Sequence, residues 1–153
     1  MPREHHSIKF TPDELHDFLR ADTRLILATV DDAGDPWGDV VPFVFRHDRV
    51  FFRVAVDTRS FANIALDPRV CCVVESMNGL SYYDIKGAIM HGVAVATTVD
   101  HQFADVDAAL AGIADPVGPV GSETVVYSID LGDSTSFSFE KIKYRYQDRA
   151  LTT

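Results

Sequence analysis

Apolar positions along the chain fall into short runs that are typical of β-strands, separated by polar turns. The first three runs are "RLILATV", "PWGDVVPFVF" and "VFFRVAV", joined by "DDAGD" and "RHDR". Their β-branched and aromatic residues favour extended structure, and the connections are short enough for antiparallel neighbours. Later runs are "RVCCVVES", "YYDIKGAIMHGVAVATT", "ETVVYSIDL" and "SFSFEKIKYRY". The pattern predicts strands that pair mostly with their sequence neighbours.

Three other segments carry helical signals. Thr11 can cap a helix that begins with Pro12 and has Glu14 in capping-box position, and this helix is expected to end near Ala21. A short second helix is predicted from about Thr58 to Leu66. A third is predicted over residues 99–113, where four apolar residues form one stripe: Phe103, Val106, Leu110 and Ile113.

A few residues inside the predicted strands modify this picture. Pro42 cannot donate to a ladder, so it indicates an edge, a bulge or an interrupted ladder. Gly87 and Gly92 suggest bends or bulges, as in a barrel wall. Cys71 and Cys72 are adjacent and point to opposite faces of a strand, so we expect both to be reduced rather than paired with each other.

The fold class that follows is mainly β (α+β), a small antiparallel barrel with helical additions. The 153 residues suit a single domain, 1–153. The charged start, residues 1–9, is expected to be a mobile N-terminal tail.

Composition narrows the possible partners. The net charge of -9 argues against nucleic acid, because phosphate-binding surfaces are usually basic. No apolar run reaches the roughly 18 residues that a membrane span needs, and the N-terminus lacks the apolar stretch of a secretory signal. A cytoplasmic protein without a membrane partner is therefore expected. The sequence has no CxxC, no HExxH and no zinc-like cluster, so no metal site is predicted.

Positive charge is concentrated where the third strand runs into the second helix. Five of the 14 basic residues lie between 46 and 69, namely Arg46, Arg49, Arg53, Arg59 and Arg69. The same window has three acids, Asp48, Asp57 and Asp67. A helix N-terminus beside Arg59, with hydroxyl donors at Thr58 and Ser60, would suit an anion. The alternative is a capped helix whose exposed arginines pair with surface acids, and the spacing alone leaves both open.

A family resemblance bears on this choice. From Leu25 to Ala94, "LATVDDAGDPWGDVVPFVF", "RVFFRVAVDTRSFANIALDPRV" and "YYDIKGAIMHGVAVA" resemble the pyridoxamine 5'-phosphate oxidase-like superfamily of flavin- and deazaflavin-binding proteins. "FSFEKIKYRY" is similar to that family's last strand. The resemblance implies a six-stranded antiparallel split β-barrel with flanking helices. It also implies a homodimer with two cofactor sites at the interface.

The resemblance also assigns residues to the cofactor. The positions that it places at the phosphate or beside the ring are Val40, Val41, Pro42, Phe43, Arg53, Val54, Arg59 and Ser60. Thr58 joins these cofactor-binding candidates as the hydroxyl donor at the helix start. Those that it places near the cofactor of the second subunit are Tyr82, Tyr83 and Lys86. The chain departs from the family at two positions, since many relatives have lysine in place of Ser60 and threonine in place of Val54.

Two aromatic features have more than one interpretation. Trp37 could stack on a ring system or could cover the end of the barrel. Tyr144, Arg145 and Tyr146 could form an interface patch or belong to an ordinary alternating strand.

The leading functional hypothesis is an oxidoreductase that uses FMN or the deazaflavin coenzyme F-420 and passes a hydride to or from a small organic substrate. No catalytic triad or carboxylate pair is apparent, which is compatible with chemistry carried by a cofactor. The alternatives are a non-catalytic split-barrel module that binds a flavin, haem or another small ligand, and a barrel without cofactor that serves as a structural dimer.

Overall fold

Three helices and eight strands form the described part of the chain. The computed structural model describes residues 7–77, 79–97, 103–114 and 123–142. The helices are α1 Pro12–Arg20, α2 Arg59–Leu66 and α3 Ala104–Ala111, with a short 3₁₀ helix at Tyr82–Asp84. The strands are β1 Arg24–Val30, β2 Pro36–Arg46, β3 Arg49–Ala55, β4 Arg69–Met77, β5 Ile85–Val93, β6 Val95–Ala96, β7 Thr124–Asp130 and β8 Asp133–Ser138.

All strand pairs are antiparallel, and the sheet curls into a half-barrel. The strand order is β6-β7-β3-β2-β1-β4-β5-β8. Strands β5 and β6 are separated by a single residue, Ala94, yet they lie in different parts of this order. The sheet therefore has to curl for the chain to pass from one part to the other. The expectation of a mainly β fold with flanking helices is confirmed, but eight strands are present among the described residues where the family resemblance implied six.

Strand β2 changes its partner at Pro42. Residues 36–42 pair with β1, where Pro42 lies opposite Arg24, and residues 43–46 pair with β3. The amide of Phe43 donates to the carbonyl oxygen of Thr23 at 2.9 Å, which closes the end of the β1–β2 ladder. The predicted interruption of the ladder at this proline is therefore confirmed.

The predicted long strand at 82–98 is interrupted. It begins as the 3₁₀ helix, pairs as β5 with β4 and β8, and resumes beyond Ala94 as β6 on β7. Of the predicted bends or bulges at Gly87 and Gly92, a bulge is excluded in the β4–β5 ladder, because these strands pair residue by residue through both glycines. Gly92 instead permits a close approach: a Cβ atom there would lie 3.0 Å from the Cβ of Ile129 on β7.

The helices agree more closely with the sequence. The side chain of Thr11 accepts from the amide of Glu14 and the Glu14 side chain accepts from the amide of Thr11, so the predicted capping box is confirmed. Helix α2 matches its predicted range. Helix α3 is shorter than predicted, and residues 99–102 lie outside the described part of the chain.

The predicted last strand, 136–146, has different limits. Strand β8 begins at Asp133 and its pairing with β5 stops at Ser138. The reason is that β5 itself begins only at Ile85, beyond the 3₁₀ helix. Residues 140–142 are helical. The proposed patch at 144–146 lies outside the described residues. So do residues 1–6 of the predicted N-terminal tail. Ile8, also in that predicted tail, is bound to β8, since its carbonyl oxygen accepts from the amide of Ser138 at 2.8 Å.

One apolar core fills the curled sheet, and a smaller one lies under α3. The largest fully buried side chains include Phe43, Phe51 and Phe52. Phe51 belongs to the smaller cluster, together with residues of α3 and β7. Val54 lies on the opposite face of β3 and belongs to the main core. Strand β3 thus contributes to both clusters, and α3 and α2 are held on different sides of it.

Two further expectations concern the cysteines and the membrane. Both cysteines are free, with Cys71 half-buried and Cys72 buried, as predicted. Burial raises the pKa of both thiols, so neither is activated as a thiolate. Within the described residues, no helix combines the length and the apolar character that crossing a membrane requires. The cytoplasmic location stays a prediction.

Candidate functional site

Helix α2 begins directly after β3 because Thr58 caps it. Thr58 has an extended backbone, and its Oγ1 accepts from the amide of Phe61 at 3.3 Å. The same hydroxyl donates to the carbonyl oxygen of Ala55 at 2.7 Å. The cap fixes the direction in which the first turn of α2 leaves the sheet, and it therefore positions the side chains of Arg59 and Ser60.

Arg59 lies over the ring of Trp37. The guanidinium carbon is 4.3 Å from the ring centroid, which is cation–π geometry. Arg59 is exposed and Trp37 is 38% exposed, so both present surface to solvent. Over the described ranges, Arg59 takes part in no ion pair. A cation without an acidic partner in the described part of the chain is thus held in place at the start of α2.

Asp39 brings a carboxylate to the same place. Its Oδ2 accepts from the indole Nε1 of Trp37 at 3.1 Å and from the hydroxyl of Ser60. Asp39 is half-buried, and Ser60 is 0% exposed. Ser60 is therefore committed to a carboxylate of its own chain. We call Trp37, Asp39, Arg59 and Ser60 the α2 cluster.

A buried polar contact lies one turn further along α2. The side-chain amide of Asn63 donates to Oγ1 of Thr29 on β1 at 3.0 Å, and both residues are buried. Because each polar group satisfies the other, the contact fixes how far α2 sits above the sheet. This contact holds α2, which carries Arg59 and Ser60, against β1.

The predicted ring-side segment of β2 is divided between two faces. Val41 and Phe43 belong to the main core and Pro42 is buried, whereas Val40 is 40% exposed on the opposite face. Val54 is also a core residue. Of these five predicted cofactor-binding residues, only Val40 presents a substantial surface to a ligand or to a second protein.

Arg53 is engaged away from the α2 cluster. Its guanidinium donates to the carbonyl oxygens of Leu110 and Ile113, at 2.8 and 2.9 Å. These carbonyls lie at the C-terminal end of α3, where a cation also complements the helix dipole. The two arginines near the β3–α2 connection therefore lie at different helices. Arg53 contacts the C-terminal end of α3, and Arg59 lies at the start of α2.

The remaining arginines of the basic window have acidic partners. Arg49 Nη1 lies 2.5 Å from Asp130, Arg69 Nη2 lies 2.8 Å from Asp67, and Arg46 Nη1 lies 4.0 Å from Asp105. The interpretation of exposed arginines paired with surface acids thus holds for Arg46 and Arg69, and Arg49 is paired in the same way although it is half-buried. Among the described residues it does not hold for Arg59.

The second-subunit candidates form an aromatic group at the start of β5. Tyr82 is exposed, and its ring centroid lies 4.7 Å from that of Phe139 and 5.8 Å from that of Tyr83. Lys86 is paired with Glu140, with 3.3 Å between Nζ and Oε2. These residues share one surface, in which Lys86 already has an acidic partner.

The sequence interpretation missed an open cavity of about 550 Å³ beyond the C-terminal end of β2. Its lining includes Arg46, His47 and Asp105, and His47 Nε2 lies 3.1 and 3.2 Å from the two carboxylate oxygens of Asp105. The contact with His47 lowers the pKa of Asp105. Asp105 is in the first turn of α3, which the sequence could not place beside the β2–β3 turn.

The α2 cluster fits some parts of a phosphorylated ring cofactor better than others. The indole and the guanidinium offer a flat surface with a positive edge, which suits a planar, negatively charged ligand. The Asp39 carboxylate stands beside the first turn of α2, where the helix would otherwise attract an anion. The residues therefore fit the ring and a single negative charge, and they do not fit a doubly charged phosphate in contact with Ser60.

Comparison with known proteins adds the family. Residues 11–132 match the family described as pyridoxamine 5'-phosphate oxidase. Among curated proteins, none matches this chain.

Solved structures with the same fold share little sequence with the chain. A conserved hypothetical protein from Mycobacterium tuberculosis has 19% identity and a TM-score of 0.73, over 90% of this chain and 91% of that chain. An FAD-binding protein from Mesorhizobium loti has 13% identity and a TM-score of 0.66, over 84% and 93%. The haem storage protein HutZ from Vibrio cholerae has 18% identity and a TM-score of 0.62, over 84% and 97%. These likenesses establish the fold alone.

The family match is more informative than the structural likenesses because it spans most of the chain, from the cap of α1 to the end of β7. It agrees with the curled antiparallel sheet and its flanking helices. The chain belongs to the pyridoxamine 5'-phosphate oxidase family.

Proposed function

We propose that the protein is an oxidoreductase that binds a flavin or deazaflavin cofactor at the α2 cluster and passes a hydride between that ring and a small organic substrate. The observation that carries the proposal is Arg59, a cation without an acidic partner among the described residues, held over Trp37 at the start of α2. Family membership supports it, as does the FAD-binding protein with the same fold.

Arg59, Trp37 and Thr58 each have a distinct part in the proposal. Arg59 donates hydrogen bonds to a negative group of the cofactor, and Trp37 keeps the guanidinium in place while adding apolar surface. Thr58 sets the direction of the helix that carries Arg59. The cofactor, when bound, supplies the hydride chemistry, and the protein contributes binding, orientation and exclusion of water.

The proposal includes a homodimer, because one face of the sheet leaves apolar side chains uncovered. Ile26 is 46% exposed and pairs across the sheet with Val40 on one side and Val73 on the other. Ile89 extends the row as the partner of Val73. This apolar row crosses four adjacent strands, and a second copy of the chain is the occupant that we propose for it.

A non-catalytic module that binds haem or another small ligand is the second candidate. Asp39 favours it, because a carboxylate beside Ser60 weakens the α2 cluster as a phosphate anchor. The haem storage protein with the same fold shows that such a barrel can serve that purpose.

A binding screen separates the two candidates. The purified protein is titrated with FMN, with F-420 and with haemin, and the absorbance and fluorescence of each compound are followed. Saturable binding of FMN or F-420 supports the ring-cofactor site on which the oxidoreductase proposal rests. A Soret shift without binding of either ring cofactor moves the assignment to a haem-binding module, and the absence of all binding overturns both the oxidoreductase and the haem-binding module.

A further inference from the structure

The position of Asp39 has a consequence for the kind of ligand that can bind. Its carboxylate accepts from Trp37 and from Ser60, so it lies between the ring that supports Arg59 and the first turn of α2. Strand alternation agrees with this placement, since Asp39 shares one face of β2 with Trp37 and Val41. A ligand group that reaches the start of α2 must therefore approach this carboxylate.

The charges at the α2 cluster are balanced before any ligand binds. Arg59 contributes one positive charge and Asp39 one negative charge. Arg53 is committed to the carbonyl oxygens of α3, so it offers no compensation here. A terminal phosphate carries nearly two negative charges above pH 7, because its second pKa is near 6. Near a protein surface, like charges a few ångströms apart repel each other, and a dianion is repelled more strongly than a monoanion.

We propose that Asp39 determines ligand specificity by charge: the α2 cluster rejects a terminal phosphate dianion and accepts a ring ligand that carries a single negative charge there, such as a phosphodiester. The inference rests on the proposed function and narrows it. Of the two cofactor classes, it favours a deazaflavin coenzyme joined through a phosphodiester over FMN, whose phosphate is terminal.

The test compares three compounds that share the same ring system and differ in their negative charge. Riboflavin is neutral, riboflavin cyclic 4',5'-phosphate has one negative charge, and FMN has nearly two at pH 7.5. Binding is followed by the fluorescence of Trp37, the single tryptophan of the chain. The wild-type protein is expected to bind the cyclic phosphate roughly tenfold more tightly than FMN. Asp39→Asn is expected to close this gap by tightening FMN while leaving riboflavin unchanged.

One control variant isolates the charge. Asp32→Asn removes a carboxylate in the β1–β2 turn, outside the α2 cluster, and should keep the wild-type gap between the two affinities. If Asp39→Asn does not fold, the wild-type protein still provides a test. Added salt must reduce the difference in affinity between the cyclic phosphate and FMN if that difference is electrostatic.

The outcomes separate this inference from the proposed function. If FMN binds the wild-type protein as tightly as the cyclic phosphate does, or if the gap survives in Asp39→Asn, the role of Asp39 is overturned while ring binding stands. If none of the three ring compounds binds, the proposed function fails, and the inference fails with it.

Discussion

Asn63 ties α2 to β1 through a hydrogen bond between two buried side chains. Replacing it by alanine removes the donor and leaves the Thr29 hydroxyl buried without this partner. We expect Asn63→Ala to lower the free energy of unfolding by about 1–3 kcal/mol, the usual cost of an unsatisfied buried polar group. Equilibrium urea unfolding measures the change. Ala62→Ser, at an exposed neighbour on the same helix, should stay within about 0.5 kcal/mol of wild type.

Single residues also show how far the sequence leads. Thr58 as a cap and the exposed position of Arg59 follow from local patterns, because caps and helix starts are decided within a few residues. Asp39 was not predicted, although the alternation Trp37, Asp39, Val41 places all three on one face. The engagement of Arg53 could not be predicted, because its partners lie in α3, 57 and 60 residues later.

At the scale of elements, α1 is fastened to the turn after β8 by an ion pair. Lys141 Nζ lies 2.7 Å from Glu14 Oε1, and the hydrogen bond from Lys141 is the largest cause that lowers the pKa of Glu14 to about 2. Because the folded pKa lies below the ordinary value of 4.5, the pair stabilises the fold above that pH. Its contribution is lost as the pH falls from about 4.5 toward 2.

The corresponding variant is Glu14→Gln. It should lose stability near pH 6 relative to wild type. The difference should shrink at pH 3, because the Glu14 carboxylate of the unfolded chain, with its ordinary pKa of 4.5, is largely protonated there and so favours the unfolded wild-type chain. Urea unfolding at both pH values measures this. A difference that is the same at both would show that the charge of Glu14 contributes nothing beyond its capping hydrogen bonds.

Elements were predicted best where their signals were local. The existence of α1, α2 and β1 to β4 follows from periodicity and turn residues. The break at Ala94 does not, because a strand that passes from one part of a curled sheet to another keeps an unbroken apolar pattern. The end of β8 was likewise set by a partner strand, β5, and not by its own residues.

At the scale of the whole molecule, the apolar row predicts self-association. Ile26→Asp places a charge in the middle of that row, and we expect it to convert a dimer into a monomer without unfolding it, since Ile26 is already partly exposed. Multi-angle light scattering at micromolar concentration measures the mass, and circular dichroism checks the fold.

Leu66→Asp is the matched control for the dimer. Leu66 is exposed on α2, which packs against the face of β1 that carries Thr29, opposite to Ile26. This variant should remain a dimer. A wild-type protein with the mass of one chain would exclude the proposed dimer, and loss of the dimer in both variants would place the interface elsewhere.

The most direct test of the central claim is the affinity of Arg59→Ala for F-420, followed by the fluorescence of Trp37. Loss of a charge-assisted hydrogen bond should weaken binding by about 1.5–3 kcal/mol and leave the melting temperature nearly unchanged. Arg20→Ala is the control, because it removes another exposed arginine above an aromatic ring, 5.7 Å from the centroid of Phe45. The account predicts weaker binding for Arg59→Ala alone, and equal affinity in all three proteins would contradict it.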